Sequence, residues 1–347
     1  MEEKKKINRK QFLRMGGSIL AGGAIAGVSG KLLRDMFRNP EVVFFDADGE
    51  GYAIEDPDTG VSPYRRLLSV RAPGEVEAFD VLDGRMVVAG EGMLSVFDAA
   101  GRVTDSFAVG PDVRDLCVRD GEIHVLYPAR IEVFAPSGET LRAWDACSDN
   151  ADYCALAVTE DSVFATDVFA KNICQYRRDG TLVRFIDSPD GFVIPSYTFA
   201  VAAAEDGGIF CSNPGRHRIE HYSSDGKFLG AFGQAGTQPG SFSGCCNLVH
   251  LTLSPAGEII TSEKGIPRIC CYSPRGEFRS TLLNRKALGG GYDAYEARIA
   301  ADGRILVAGK AGLAVYQYDS ALAQAGTSSA CALCAVAGCP VRRGVTV

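Results

Sequence analysis

The stretch Ile209-Phe210-Cys211-Ser212-Asn213-Pro214-Gly215-Arg216-His217-Arg218-Ile219-Glu220-His221-Tyr222-Ser223-Ser224-Asp225-Gly226-Lys227-Phe228-Leu229-Gly230 decides the fold. Two short β-rich runs, Ile209–Cys211 and His217–Tyr222, lie between the turn signals Glu205-Asp206-Gly207 and Asp225-Gly226. Each turn is flanked by a further apolar run, so the unit is a four-stranded meander. Outward from it the first turn recurs as Leu82-Asp83-Gly84, Arg119-Asp120-Gly121, Glu160-Asp161-Ser162, Pro255-Ala256-Gly257 and Ala301-Asp302-Gly303. A second turn follows 17 to 19 positions later in the other units, at Ala100-Gly101, Ser137-Gly138, Asp179-Gly180 and Arg275-Gly276, with Asp319-Ser320 in that place in the sixth. Six units spaced by 37 to 50 residues are too long for leucine-rich repeats and suit the blades of a propeller. The fold expected is all-β: a six-bladed β-propeller of four-stranded antiparallel blades.

A ring leaves no sheet edge open, yet the sixth unit shows strands only at Tyr295–Ile299, Arg304–Ala308 and Leu313–Tyr318. Arg65–Val70, ahead of the first repeat, is the expected fourth strand. The boundaries that follow are 1–30 for a signal segment, 31–63 for a linker with an extra hairpin, 64–320 for the propeller and 321–347 for a cysteine-containing tail.

The 347 residues are 46% hydrophobic and 23% charged with 40 glycines, a globular composition. A net charge of −7 and no basic stripe in the body argue against nucleic acid as the partner, because phosphate binding rests on a cationic footprint.

The unit around Asn213–Ile219 and Ser224–Gly230, followed by Phe232-Gly233 and Pro239-Gly240-Ser241-Phe242, resembles an NHL repeat. In that family the Asn, His and Arg of this turn are architectural, which is the first meaning to give Asn213, Arg216 and His217; a ligand-binding role for Arg216 and His217 is the alternative. The motifs Gly244-Cys245-Cys246-Asn247 and Glu263-Lys264-Gly265 are similar to those of a bacterial exported NHL subgroup, with Leu248 in place of its usual proline. The resemblance implies no established activity.

The basic first fourteen residues precede an uncharged run from Met15 to Gly30, with Ala24-Ile25-Ala26 offering small residues for cleavage. The block Arg9-Lys10-Gln11-Phe12-Leu13-Arg14 resembles a twin-arginine signal, with Lys10 for the second arginine. Arg9, Lys10, Phe12 and Leu13 carry that likeness. The chain is therefore expected to be exported, either periplasmic or anchored at the outer face of the cytoplasmic membrane, with membrane contact only through an uncleaved signal.

Twelve cysteines carry the candidate chemistry. Cys245 and Cys246 fall where one blade crosses to the next near the channel, and with His250 they could form a soft-metal or redox site; packing is the alternative. Cys331, Cys334 and Cys339 resemble part of a ferredoxin-type cluster motif, with three ligands where that motif has four; zinc, disulfides or contact with a partner's cysteines stay open. Cys147 and Cys154 are candidates for a loop disulfide, whereas Cys117, Cys174, Cys211, Cys270 and Cys271 read as packing. Asn247, Glu263, Lys264 and Arg268 join Arg216 and His217 as channel or ligand-binding candidates.

The leading expectation is an exported binding or redox-accessory subunit. Its thiols would hold an iron–sulfur cluster or another metal, or no cofactor at all, and its protein partner would belong to a membrane or periplasmic redox complex. A metal-dependent lactonase- or lyase-like enzyme working in the channel and a purely structural docking platform are the alternatives. Four histidines are few for a hydrolytic metal centre.

Overall fold

The computed structural model describes residues 7–8, 42–45, 50–54, 58, 60–72 and 74–325. Six four-stranded antiparallel sheets make a propeller. Blade 1 comprises Ala78–Leu82, Arg85–Gly90, Met93–Phe97 and Val103–Ala108. Blade 2 comprises Asp115–Arg119, Glu122–Tyr127, Arg130–Phe134 and Thr140–Asp145, and blade 3 Tyr153–Val158, Ser162–Asp167, Asn172–Arg177 and Leu182–Ile186. Blade 4 holds Val201–Ala203, Ile209–Asn213, Arg218–Tyr222 and Phe228–Phe232, and blade 5 His250–Leu253, Ile259–Glu263, Arg268–Tyr272 and Phe278–Leu283. The first strand of each blade touches the first strand of both neighbours, so these six strands surround the central channel.

Blade 6 is built from both ends of the propeller. Glu296–Ile299, Ile305–Gly309 and Gly312–Tyr318 are joined by Tyr64–Arg71, which pairs along Gly312–Tyr318 from Gly312 opposite Arg71 to Tyr318 opposite Tyr64. The outermost strand of the last blade thus comes from ahead of the first, and the ring is closed by ladder hydrogen bonds. Outside the ring, Val42–Phe45 pairs with Glu50–Ile54, which also pairs with Ile7–Asn8. A short helix, Ser320–Ala325, follows the last strand. Among the described residues no helix is long and apolar enough to cross a membrane.

The apolar content of the strands is spent between blades. The six clusters of buried residues each straddle one blade interface, from Leu94 and Leu116 between blades 1 and 2 to Phe79 and Leu313 between blades 6 and 1. Each blade is covered on both faces, which explains fully buried strands such as Ser162–Asp167 and Arg268–Tyr272. The outer strands, such as Val103–Ala108, are largely exposed, and in blades 3 and 4 they carry apolar residues to the surface, among them Phe185 and Leu229.

The second turn of each of the first five blades leans on the blade before it. A Cβ at Gly101 would meet Val70, and one at Gly138, Gly180, Gly226 or Gly276 would meet Phe107, Trp144, Ile186 or Phe232. Gly276 combines φ +83 with 2.2 Å from such a Cβ to the Phe232 ring, whereas Gly257 has φ +76 and nothing within 4 Å. Gly257→Ala should therefore cost about 1 kcal/mol for its left-handed backbone, and Gly276→Ala about 3 kcal/mol, because a clash is added. Urea unfolding of the two variants measures the difference; equal losses would remove the interblade contact from the explanation.

Candidate functional site

The inner strands are mostly apolar, and charge interrupts them in three blades: Asp80 in blade 1, Asp115 and Arg119 at the two ends of the blade 2 strand, and Glu296 with Arg298 in blade 6. Ring closure brings the three acids and Arg298 together across more than two hundred residues of sequence. Arg298 Nε donates to Asp80 Oδ1 at 2.8 Å, its Nη2 lies 2.7 Å from Glu296 Oε1, and its Nη1 donates to the Ala297 carbonyl at 3.1 Å. Asp80 Oδ2 accepts the Val118 N–H at 2.7 Å, and Asp115 accepts those of Leu116 and Leu156 at 2.8 and 2.7 Å. The network therefore also ties the inner strands of blades 1, 2, 3 and 6 to one another.

Its electrostatics are set by burial. Loss of water raises the Asp80 carboxyl above its ordinary range, with Arg298 pulling it back. Asp115 is pushed up to about 7, by burial first and by repulsion from Glu296 second, against the pull of Arg298. Burial lowers the His250 imidazole on the inner strand of blade 5, with Glu296 opposing and Arg298 and Lys264 reinforcing that shift.

Asp80 and Arg298 line a cavity of about 330 Å³ to which all six blades contribute. Its walls are largely small and apolar, among them Val118, Leu156, Val201 and Leu251, and Arg119 and Glu205 also border it. That volume is at the small end of ligand-binding cavities. The arrangement offers a channel lined mostly by small apolar side chains but with nearly as much polar as apolar surface, and with one guanidinium shared by two carboxylates beside it.

Arg216, His217, Asn247, Glu263, Lys264 and Arg268, which the motifs put forward as channel residues, do not line this cavity. Arg216 is exposed and donates to the backbone carbonyls of Asp190 and Gly191, while His217 ends a 3₁₀ turn at φ 53. Asn247 is buried: its amide donates to the Ser243 carbonyl and the Lys264 carbonyl, each at 2.8 Å, and accepts the Lys264 N–H at 2.9 Å. The Gly-Cys-Cys-Asn and Glu-Lys-Gly motifs are thus two halves of one clamp. Glu263 and Arg268 form a fully buried ion pair that reaches the carbonyls of Thr237, Gln238 and Ser241. These polar residues hold the blade 4–5 crossing in place.

Cys245 and Cys246 lie side by side on that crossing with sulfurs 3.3 Å apart. The structure does not join them to His250: among the described residues no three His, Cys, Asp or Glu side chains are grouped to hold a metal ion. Cys270 and Cys271 are both buried, one in the interface of blades 4 and 5 and the other in that of blades 5 and 6. Arg9, Lys10, Phe12, Leu13, Cys331, Cys334 and Cys339 lie outside the described residues.

The charged channel network went unanticipated in the sequence. Its signal was there, as acidic or basic residues inside short apolar inner strands such as Phe79-Asp80-Val81 and Glu296-Ala297-Arg298-Ile299.

No protein-family model and no curated protein sequence matches this chain. Solved structures do match its fold. A streptogramin B lyase structure aligns with TM-score 0.54 at 15% identity, covering 74% of this chain and 98% of that one. Virginiamycin B lyase from Staphylococcus aureus aligns at 0.51 and 13%, covering 73% and 98%. The WD40 propeller domain of Doa1 aligns at 0.53 and 12%, covering 81% and 87%. At such identities the likeness is one of fold.

Proposed function

We propose that this chain is an exported, NHL-type binding propeller whose central channel takes a small organic cation with an apolar body. The observation that carries this is the commitment of Arg298. All three of its nitrogens are engaged within the protein, so Asp80 and Glu296 share one counter-charge and Asp115 stands near them as a further acid. An ammonium head near Asp80 would restore the balance, and its alkyl body would replace water along the apolar wall.

Titration with n-alkylamines and with alkylcarboxylates and alcohols of matched length tests it. Only the amines should raise the melting temperature, and Asp80→Asn should weaken their binding at least tenfold. Equal binding of the carboxylates, or an unchanged affinity in Asp80→Asn, would sink the proposal. The Arg9–Leu13 block supports export, and the cysteine tail supports seating on a protein partner. A redox-accessory role would rest on Cys331, Cys334 and Cys339; iron and sulfide analysis of anaerobically purified protein decides it.

A lyase-like enzyme is the second reading, and Asp115 favours it. A carboxyl held near neutrality on an inner strand, two residues from the cavity-lining Cys117, is suited to general acid–base work, and two structures sharing the fold are lyases. Turnover of a streptogramin B by the wild type, lost in Asp115→Asn, would replace the binding role with this one.

A further inference from the structure

We infer that Cys147 and Cys174 are a reversible dithiol–disulfide site that staples blade 2 to blade 3. Their sulfurs stand 3.4 Å apart although the residues are 27 positions apart in sequence. Cys147 leaves the outer strand of blade 2, and Cys174 sits on the third strand of blade 3. Both belong to the cluster that fills the interface between these blades, with Ile131, Trp144 and Tyr176 around them.

The surroundings hold the pair in register. The Cys147 N–H donates to the Tyr153 hydroxyl at 3.3 Å, that hydroxyl lies 3.7 Å from the Cys147 sulfur, and it is also bonded to the Tyr176 hydroxyl. Cys154, the partner expected from sequence proximity, instead points its thiol at the Tyr197 carbonyl, 3.2 Å away. The two sulfurs differ in access: Cys147 is partly exposed, whereas Cys174 is fully buried and its thiol is pushed up by burial first. Cys147 is the entry point and Cys174 the resolving thiol.

The chemistry is exchange with a disulfide oxidant. The Cys147 thiolate attacks one sulfur of the oxidant, whose other sulfur leaves as a thiolate. Cys174 then attacks Cys147 Sγ in the mixed disulfide, giving up its proton and expelling the second thiolate. Two protein thiols are oxidised, and one disulfide is reduced to two thiols. Bringing the sulfurs to the disulfide length of about 2.05 Å requires little motion of either side chain.

The test treats the full-length chain with oxidised glutathione, traps free thiols with an alkylating reagent, and maps peptides with and without reduction. The expected product joins the Cys147 and Cys174 peptides by a reducible bond. Its melting temperature should exceed that of the reduced protein by about 5 °C or more, given the loop it closes. Cys147→Ser, at a partly exposed position, should lose both the link and the shift, while Cys154→Ser should keep both. Alkylation of Cys147 and Cys174 in the wild type after oxidation, or a link from Cys147 to Cys154, would overturn the assignment.

Discussion

Arg268→Met should destabilise the protein by about 3–5 kcal/mol, measured as a shift in the urea midpoint at constant slope. Both side chains of the Glu263–Arg268 pair are fully buried, with Arg268 Nε and Nη2 at 2.6 and 3.0 Å from the two Glu263 oxygens. Burial raises the Glu263 carboxyl and Arg268 holds it back, so removing the guanidinium strands a carboxyl and the Thr237, Gln238 and Ser241 carbonyls together. Arg268→Lys should recover part of the loss, because an ammonium keeps the charge but lacks the fork that serves several acceptors. Pairing Arg268→Met with Glu263→Met should be less costly than Arg268→Met alone, since no charge then remains buried. A loss below about 1 kcal/mol for Arg268→Met would mean that the pair is solvated and free to serve a ligand.

The same pair shows what a sequence can and cannot disclose. The blades were legible because each is announced locally, by two turn signals and the apolar runs between them. The closing strand was legible from a global requirement, since a ring short of one strand at its end must draw it from its beginning. Glu263, Arg268 and Asn247 stood out as unusual polar residues, but nothing in their spacing distinguishes a side chain facing a channel from one tied to backbone carbonyls. That choice is made by the path of residues 233–249, an irregular segment with only one isolated bridge, between Ala235 and Phe242. The channel network failed to show for the opposite reason. Asp80 and Arg298 are 218 positions apart, and each alone is an ordinary charge in a short strand. Cys147 illustrates the same limit: its neighbour in sequence is Cys154, while its neighbour in space is set by how blade 3 packs on blade 2.

Asp115→Asn should gain stability relative to wild type as pH rises from 4.5 to 8. In the folded protein the Asp115 carboxyl titrates near 7, against about 3.9 in an unfolded chain. Between those values the folded state holds a proton that the unfolded state has released, so stability falls as pH rises. The contribution is fully present below about pH 4 and gone above about pH 7; three pKa units correspond to roughly 4 kcal/mol. Asparagine carries no charge and avoids that loss, but it forfeits one of the two backbone N–H bonds from Leu116 and Leu156, about 1 kcal/mol. At pH 4.5 the unfolded chain has already released most of that proton, which costs the wild type about 1 kcal/mol. The variant should therefore be about as stable as wild type at pH 4.5 and more stable by roughly 3 kcal/mol at pH 8. Histidines act in the other direction: burial lowers His124 to about 4 and also lowers His221 and His250, so between about pH 4 and 6.5 they make stability rise with pH. They are present in both proteins, so the difference between wild type and variant isolates Asp115. A difference that stays constant from pH 4.5 to 8 would show that Asp115 ionises like a solvated carboxylate, and the acid–base reading of the channel would go with it.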